Sequence, residues 1–121
     1  MKFTTYTTFP EQTSNESLWI LVDSEQLQSN LNTYQINNLE SILTATQFKA
    51  NFNETLPLFG QLSTQPHSQL LGLGKAAELQ AAKLAKLAQT IIKSAQNKFK
   101  HIAIDIAVLP VEYHYLFALS L

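Results

Sequence analysis

The sequence predicts an α/β fold, a mixed β-sheet flanked by helices within one domain. Three observations carry that expectation. Residues 18–22 (LWILV) and 101–109 (HIAIDIAVL, apart from Asp105) are apolar on both faces, as strands covered from both sides are. From residue 76 to about 98, Ala77, Ala81, Leu84, Ala88, Ile91, Ala95 and Phe99 recur at three- and four-residue spacing. Ala and Leu dominate that segment, so periodicity and propensity agree on one long helix. Strand, long helix and strand then make a βαβ unit, whose crossover is expected to be right-handed.

The other elements follow in chain order. In residues 2–9 (KFTTYTTF), Phe3, Thr5, Thr7 and Phe9 alternate with Thr4, Tyr6 and Thr8, which predicts a strand near a sheet edge, ended by Pro10. A polar turn (EQTSNE) leads into 18–22. Residues 23–35 carry little signal and read as loop with at most a helical turn. Asn37 and Glu40 have capping-box spacing, and Leu39, Ile42 and Leu43 share a face, so 38–46 is expected to be a short amphipathic helix. FKANFNET (48–55) should return the chain to the sheet. LPLFGQLS (56–63) reads as a strand that Pro57, lacking an N–H, pushes toward an edge. Gln65, Pro66 and His67 turn into the strand QLLGL. Pro110 suits the first turn of a helix, and VEYHYLFALSL (111–121) continues in helical style. It runs out in apolar residues with no Gly, Asn or polar cap. The expectation is a fragment of a longer chain, cut within a helix that starts near 110 and is marginal alone.

The totals narrow the function. At 121 residues the chain is about one domain, and 45% hydrophobic against 14% charged residues makes it globular with a real core. A net charge of -1 gives no global pull toward nucleic acid or an acidic membrane. All eight basic residues are lysines, so the planar guanidinium fork that favours bidentate phosphate or guanine recognition is missing. No cysteine means no disulfide, no thiolate zinc site and no cysteine nucleophile. MKFTTYTTFPEQ has no apolar run behind its lysine, so it does not read as a signal peptide. No stretch approaches the roughly 18 apolar residues of a membrane span. A cytoplasmic setting is expected, with no membrane partner.

One motif invites a sharper reading. In LLGLGKAA (70–77), Gly72, Gly74 and Ala77 satisfy the permissive dinucleotide fingerprint. The acid expected about 20 residues further on, at the end of the second strand, is missing: that distance lands in AQNKFKH, and the next acid, Asp105, sits mid-strand and too far along. A P-loop fails as well, for want of the four-residue spacer and the magnesium-binding hydroxyl. The stronger reading is a structural strand-to-helix turn; the weaker is an anion site at Gly72, Gly74 and Lys75. Lys75 at a helix N-terminus would oppose the macrodipole and invite an offsetting anion, unless it is simply a solvated loop lysine.

Lys83, Lys86, Thr90, Lys93 and Asn97 form a polar stripe opposite the apolar face. A solvated helix face explains it best. The rival is a weak nucleic-acid surface of Lys83, Lys86 and Lys93. Asp105 is either a buried acid at a site or, the favoured reading, one hydrogen-bonded near a strand end. His67, His101 and His114 lack i+3 or i+4 partners, and Glu11, Glu16, Glu25, Glu40, Glu54, Glu78 and Glu112 are dispersed, so no metal site is expected. No G-x-S-x-G elbow exists, and no catalytic or cofactor-binding constellation is visible.

The order of segments is similar to a known one. An initial strand, LWILV, the short helix LESIL, FKANFNETLPLFG, SQLLGLGKAAEL, the long helix and HIAIDIAVL together resemble the N-terminal domain of the leucyl (cytosol) aminopeptidases. The resemblance covers essentially the whole chain and is sharpest at 70–75 with 102–105. It implies a macro-domain-like fold and a parent enzyme that is a homohexameric exopeptidase dependent on a divalent metal, zinc or manganese. In that family the metal ligands, catalytic lysine and bicarbonate-site arginine belong to a C-terminal catalytic domain. None of those motifs lies in 1–121, so the resemblance implies a non-catalytic domain that helps organise the oligomer and limit access to its active sites. Some bacterial members bind DNA through this domain, which the missing arginine argues against here. The rival readings are a free-standing macro-type module for ADP-ribose or another nucleotide, and a weak DNA-binding domain.

Overall fold

Five strands form one mixed sheet in the computed structural model, which describes residues 2–6, 16–32, 36–59, 67–95 and 101–121. They are β1 (Lys2–Tyr6), β2 (Glu16–Asp23), β3 (Thr55–Phe59), β4 (His67–Gly74) and β5 (His101–Asp105), in the order β1-β5-β2-β4-β3. Phe3 of β1 pairs in parallel with Ile102 of β5, Trp19 of β2 with Ile104 of β5, and Ile20 of β2 with Leu70 of β4. Only β3 runs antiparallel, Leu56 facing Leu70. β1 and the proline-bearing β3 take the two edges, where their sequences put them. A strand with no backbone donor at Pro57 fits an edge, where one side of its ladder needs no partner.

The helices are α1 (Leu27–Asn32), α2 (Leu39–Thr46), α3 (Ala81–Ala95) and α4 (His114–Ser120). Alternation along β2 sorts the core into two layers. Leu18, Ile20 and Val22 point to a cluster with Leu31, Phe48, Ala50, Leu56, Leu58 and Leu70, against which Leu27 of α1 and Leu39, Ile42 and Leu43 of α2 pack. Trp19 and Leu21 point the other way, to Leu71, Leu73, Ile102 and Ile104, covered by Leu84, Leu87, Ala88 and Ile91 of α3 and Phe117 of α4. A two-sided apolar strand thus becomes the centre of a helix–sheet–helix sandwich.

Several expectations shift. The long helix does not begin at Ala76. Residues Ala76–Glu78 form a 3-10 turn, Leu79 is extended with φ -68 and ψ 144, and α3 starts at Ala81. Leu79 is drawn into the core, and its carbonyl accepts the Tyr113 hydroxyl at 3.0 Å; these tertiary contacts outweigh the helical propensity of the segment. The core-facing residues of α3 include Leu87, which the expected stripe omitted, whereas Ala77 and Ala81 are exposed. The last strand ends at Asp105, four residues early: the Asp105 carboxylate accepts the Ala107 N–H at 2.9 Å and Leu109 N–H donates to Ile106, which turns the chain away. β4 and β5 are parallel but not neighbours, because β2 lies between them.

The capping box at Asn37 does not form. The N-cap is Asn38, in the left-handed region at φ 59, with no side-chain cap. Residues 23–35, read as loop with at most a helical turn, contain a 3-10 turn at Ser24–Gln26, capped by Asp23, and then the six-residue α1. Residues 48–54 return the chain to β3 as an irregular loop, with left-handed φ values at Gln47, Ala50 and Asn53. The expected strand end at Pro10, the turn at 11–15, the strand residues 60–63, the turn at Gln65 and Pro66, and the helix beyond Ala95 with Asn97 and Phe99 lie outside the described residues.

Candidate functional site

The glycine turn is crossed by the chain's own backbone. A Cβ built on Gly72 would lie 2.2 Å from the Asn51 carbonyl oxygen and 2.5 Å from the Ala50 carbonyl carbon, so only glycine allows loop 48–54 to approach. The contact is hydrogen-bonded throughout. Gly72 N–H donates to the Glu54 carbonyl at 2.7 Å, Asn53 N–H to the Gly72 carbonyl at 2.8 Å, and Gly74 N–H to the Ala50 carbonyl at 2.9 Å. Gly74 supplies a left-handed φ of 69 where β4 ends. A slip of register between Val22 and Asp23, which pair with Gly72 and Gly74, marks a bulge at the same place. The amides that a phosphate would need at Gly72 and Gly74 are therefore engaged by the loop.

Loop 48–54 hooks round the sheet edge. Phe48 and Ala50 enter one core layer and Phe52 packs on the other. The Glu54 carboxylate accepts the N–H groups of Lys49 and Asn51 at 3.2 and 3.1 Å, holding the loop's bend. Glu54, one of the dispersed glutamates, shows no sign of this role in the sequence. The signal available for the loop's bend was Asn53, which takes φ 66, since Asn is among the non-glycine residues that most readily adopt left-handed backbone.

The lysine stripe divides. Lys83 is half-buried, its Nζ 5.3 Å from the Phe52 ring centroid and 3.5 Å from the Glu78 carbonyl it donates to. The Thr90 hydroxyl donates to Asn53 Oδ1 at 2.6 Å. Two members of the stripe thus clamp the loop, while Lys86 and Lys93 stay exposed. Lys75 is exposed too, but precedes a 3-10 turn rather than the long helix, so the macrodipole argument for an anion there lapses.

Asp105 closes β5 and is buried. Burial pushes its carboxyl above the ordinary value, and the Ala107 N–H pulls it partly back. His114 Nε2–H donates to the Leu109 carbonyl at 2.9 Å, bracing the turn before α4. His67 and His101 open β4 and β5; their side chains lie outside the described set. Among the described residues no three His, Asp or Glu side chains converge in a group that could hold a metal ion, and no helix is long and apolar enough to cross a membrane.

Comparison with known proteins supplies what the geometry does not. The family model described as the N-terminal domain of the cytosol aminopeptidase family matches residues 17–118. Proteins named "probable cytosol aminopeptidase" from Acinetobacter baumannii strains ATCC 17978 and AYE are each 99% identical to the chain over all of its 121 residues. A protein of the same name from Acinetobacter baylyi is 52% identical over the same span. The chain covers 25% of the length of each of these relatives. By the extent of that match, the chain belongs to the cytosol aminopeptidase family and corresponds to its N-terminal domain.

Proposed function

We propose that residues 1–121 are a single non-catalytic domain of a longer, divalent-metal-dependent leucyl aminopeptidase. The parent removes N-terminal residues from peptides in the cytoplasm. The domain's partner is the C-terminal catalytic domain of the same polypeptide, and its work is to organise a homohexamer and limit access to the active sites. The observation that carries this reading is the near-identity to proteins four times as long whose name is an aminopeptidase. The mixed sheet with helices on both faces supports a macro-domain-like fold, without the ligand function of a nucleotide module, since the Gly72 and Gly74 amides are used internally.

A two-metal peptidase needs several carboxylates converging on ions about 3.5–4 Å apart. The described residues do not fit such a centre, so no step of hydrolysis is assigned to them. The test is hydrolysis of a chromogenic leucyl amide with zinc or manganese. The full-length protein is expected to cleave it and to lose activity on chelation, and residues 1–121 alone to leave it intact. Metal-stimulated turnover by the 121-residue chain, surviving removal of contaminating peptidases, would overturn the non-catalytic reading.

A further inference from the structure

The outer face of α4 is the least water-compatible surface among the described residues. Val111 is 81% exposed, Tyr115 73%, Leu119 64% and Leu116 43%. Val111, Tyr115 and Leu119 recur every four residues, so they line one side of the segment formed by the 3-10 turn Val111–Tyr113 and α4. Glu112 is the only acidic or lysine side chain in residues 111–121. A solvated helix face ordinarily carries charge, and singly exposed apolar residues are common, but a continuous stripe of four is a contact surface.

The helix cannot bury that stripe by rolling. Phe117 on the opposite side is fully buried, Leu121 packs on the same core layer, the Tyr113 hydroxyl is bonded to the Leu79 carbonyl, and His114 to that of Leu109. None of the described residues covers the stripe. The relatives continue for about three times this chain's length, given that it spans 25% of them, and the family model assigns it to the N-terminal end. Their following segment starts at the end of α4 itself, within reach of the stripe. A neighbour joined by covalent connection has a high effective concentration, which favours it over a separate copy.

We propose that Val111, Tyr115, Leu116 and Leu119 form the docking seam for an apolar segment of the same polypeptide that follows residue 121. The proposal deepens the functional reading above and rests on it. The experiment uses the full-length protein carrying a photoreactive phenylalanine analogue at position 119 or 115. The expected product keeps the mass of one chain on a denaturing gel, with the cross-linked peptide lying beyond residue 121. A product of two-chain mass, or a cross-link only to residues before 121, overturns the proposal. In parallel, hydroxyl-radical footprinting of the unaltered protein is expected to oxidise Tyr115 at least fivefold more slowly than its exposure in the isolated domain implies; full reactivity overturns the proposal without any substitution that could disturb folding. Leucyl-amide hydrolysis is measured on the same preparation. An active enzyme with an open seam refutes the docking alone, whereas an inactive one with a closed seam refutes the aminopeptidase reading alone.

Discussion

A methyl group at Gly72 would sit 2.2 Å from the Asn51 carbonyl oxygen, an atom of backbone that cannot swing aside. At Gly74 the nearest atom is the Phe52 Cβ at 3.3 Å, and the difficulty is the left-handed φ of 69. The two glycines should therefore differ in urea unfolding. Gly72→Ala is expected to lose about 2–3 kcal/mol through overpacking, and Gly74→Ala about 1–2 kcal/mol through backbone strain. Equal small losses would mean that the loop is not seated as described. Asp105 makes a second prediction at this scale, with a definite sign. Its folded pKa is raised by burial above the unfolded value, so its contribution is fully present below about pH 3.9 and is lost as pH rises through the folded value. Asp105→Asn keeps an oxygen for the Ala107 N–H but cannot ionise. The variant should be as stable as the parent or more so at pH 7, with the advantage shrinking toward pH 3.5. Urea midpoints across that range check it; a variant weaker at pH 7 would show that the carboxylate charge itself is needed.

α3 shows how one element serves two purposes. Its inner face, Leu84, Leu87, Ala88 and Ile91, covers the sheet, and its flank holds loop 48–54 through Lys83 over Phe52 and Thr90 on Asn53. Thr90→Val should cost about 1 kcal/mol by removing that hydrogen bond. Lys93→Ala, on an exposed position of the same stripe, should stay within about 0.5 kcal/mol. Thermal unfolding of the two variants distinguishes a clamp from a uniformly solvated face. The sequence made β2, the edge strands and the body of α3 legible, because their period is set by which residues meet the core. It concealed what long-range contacts decide. Nothing local says that Leu79 leaves the helix for the core and the Tyr113 hydroxyl, or that Ala50 takes φ 57 so that its neighbour can cross Gly72. Nor does the glycine motif itself reveal that backbone 21 residues upstream, at Asn51, passes close over Gly72.

At the scale of the whole molecule, electrostatics sets how strongly the domain could hold nucleic acid. The net charge is -1 and no arginine offers a bidentate grip. Of the three lysines on the stripe, Lys83 is committed to Phe52 and the Glu78 carbonyl, which leaves Lys86 and Lys93 for phosphates. Each neutralised phosphate contributes about -0.9 to the slope of log K against log salt. A surface limited to those two lysines gives a slope no steeper than about -2, and affinity that vanishes near physiological salt without regard to sequence. Fluorescence anisotropy with a labelled duplex across a salt series measures it. Lys86→Ala should make the slope shallower by about one, and Lys83→Ala should leave the slope unchanged while lowering stability through the loop. A slope near -6, or sub-micromolar affinity at physiological salt, would require a phosphate-binding surface elsewhere on the chain and would return DNA binding to the domain's repertoire.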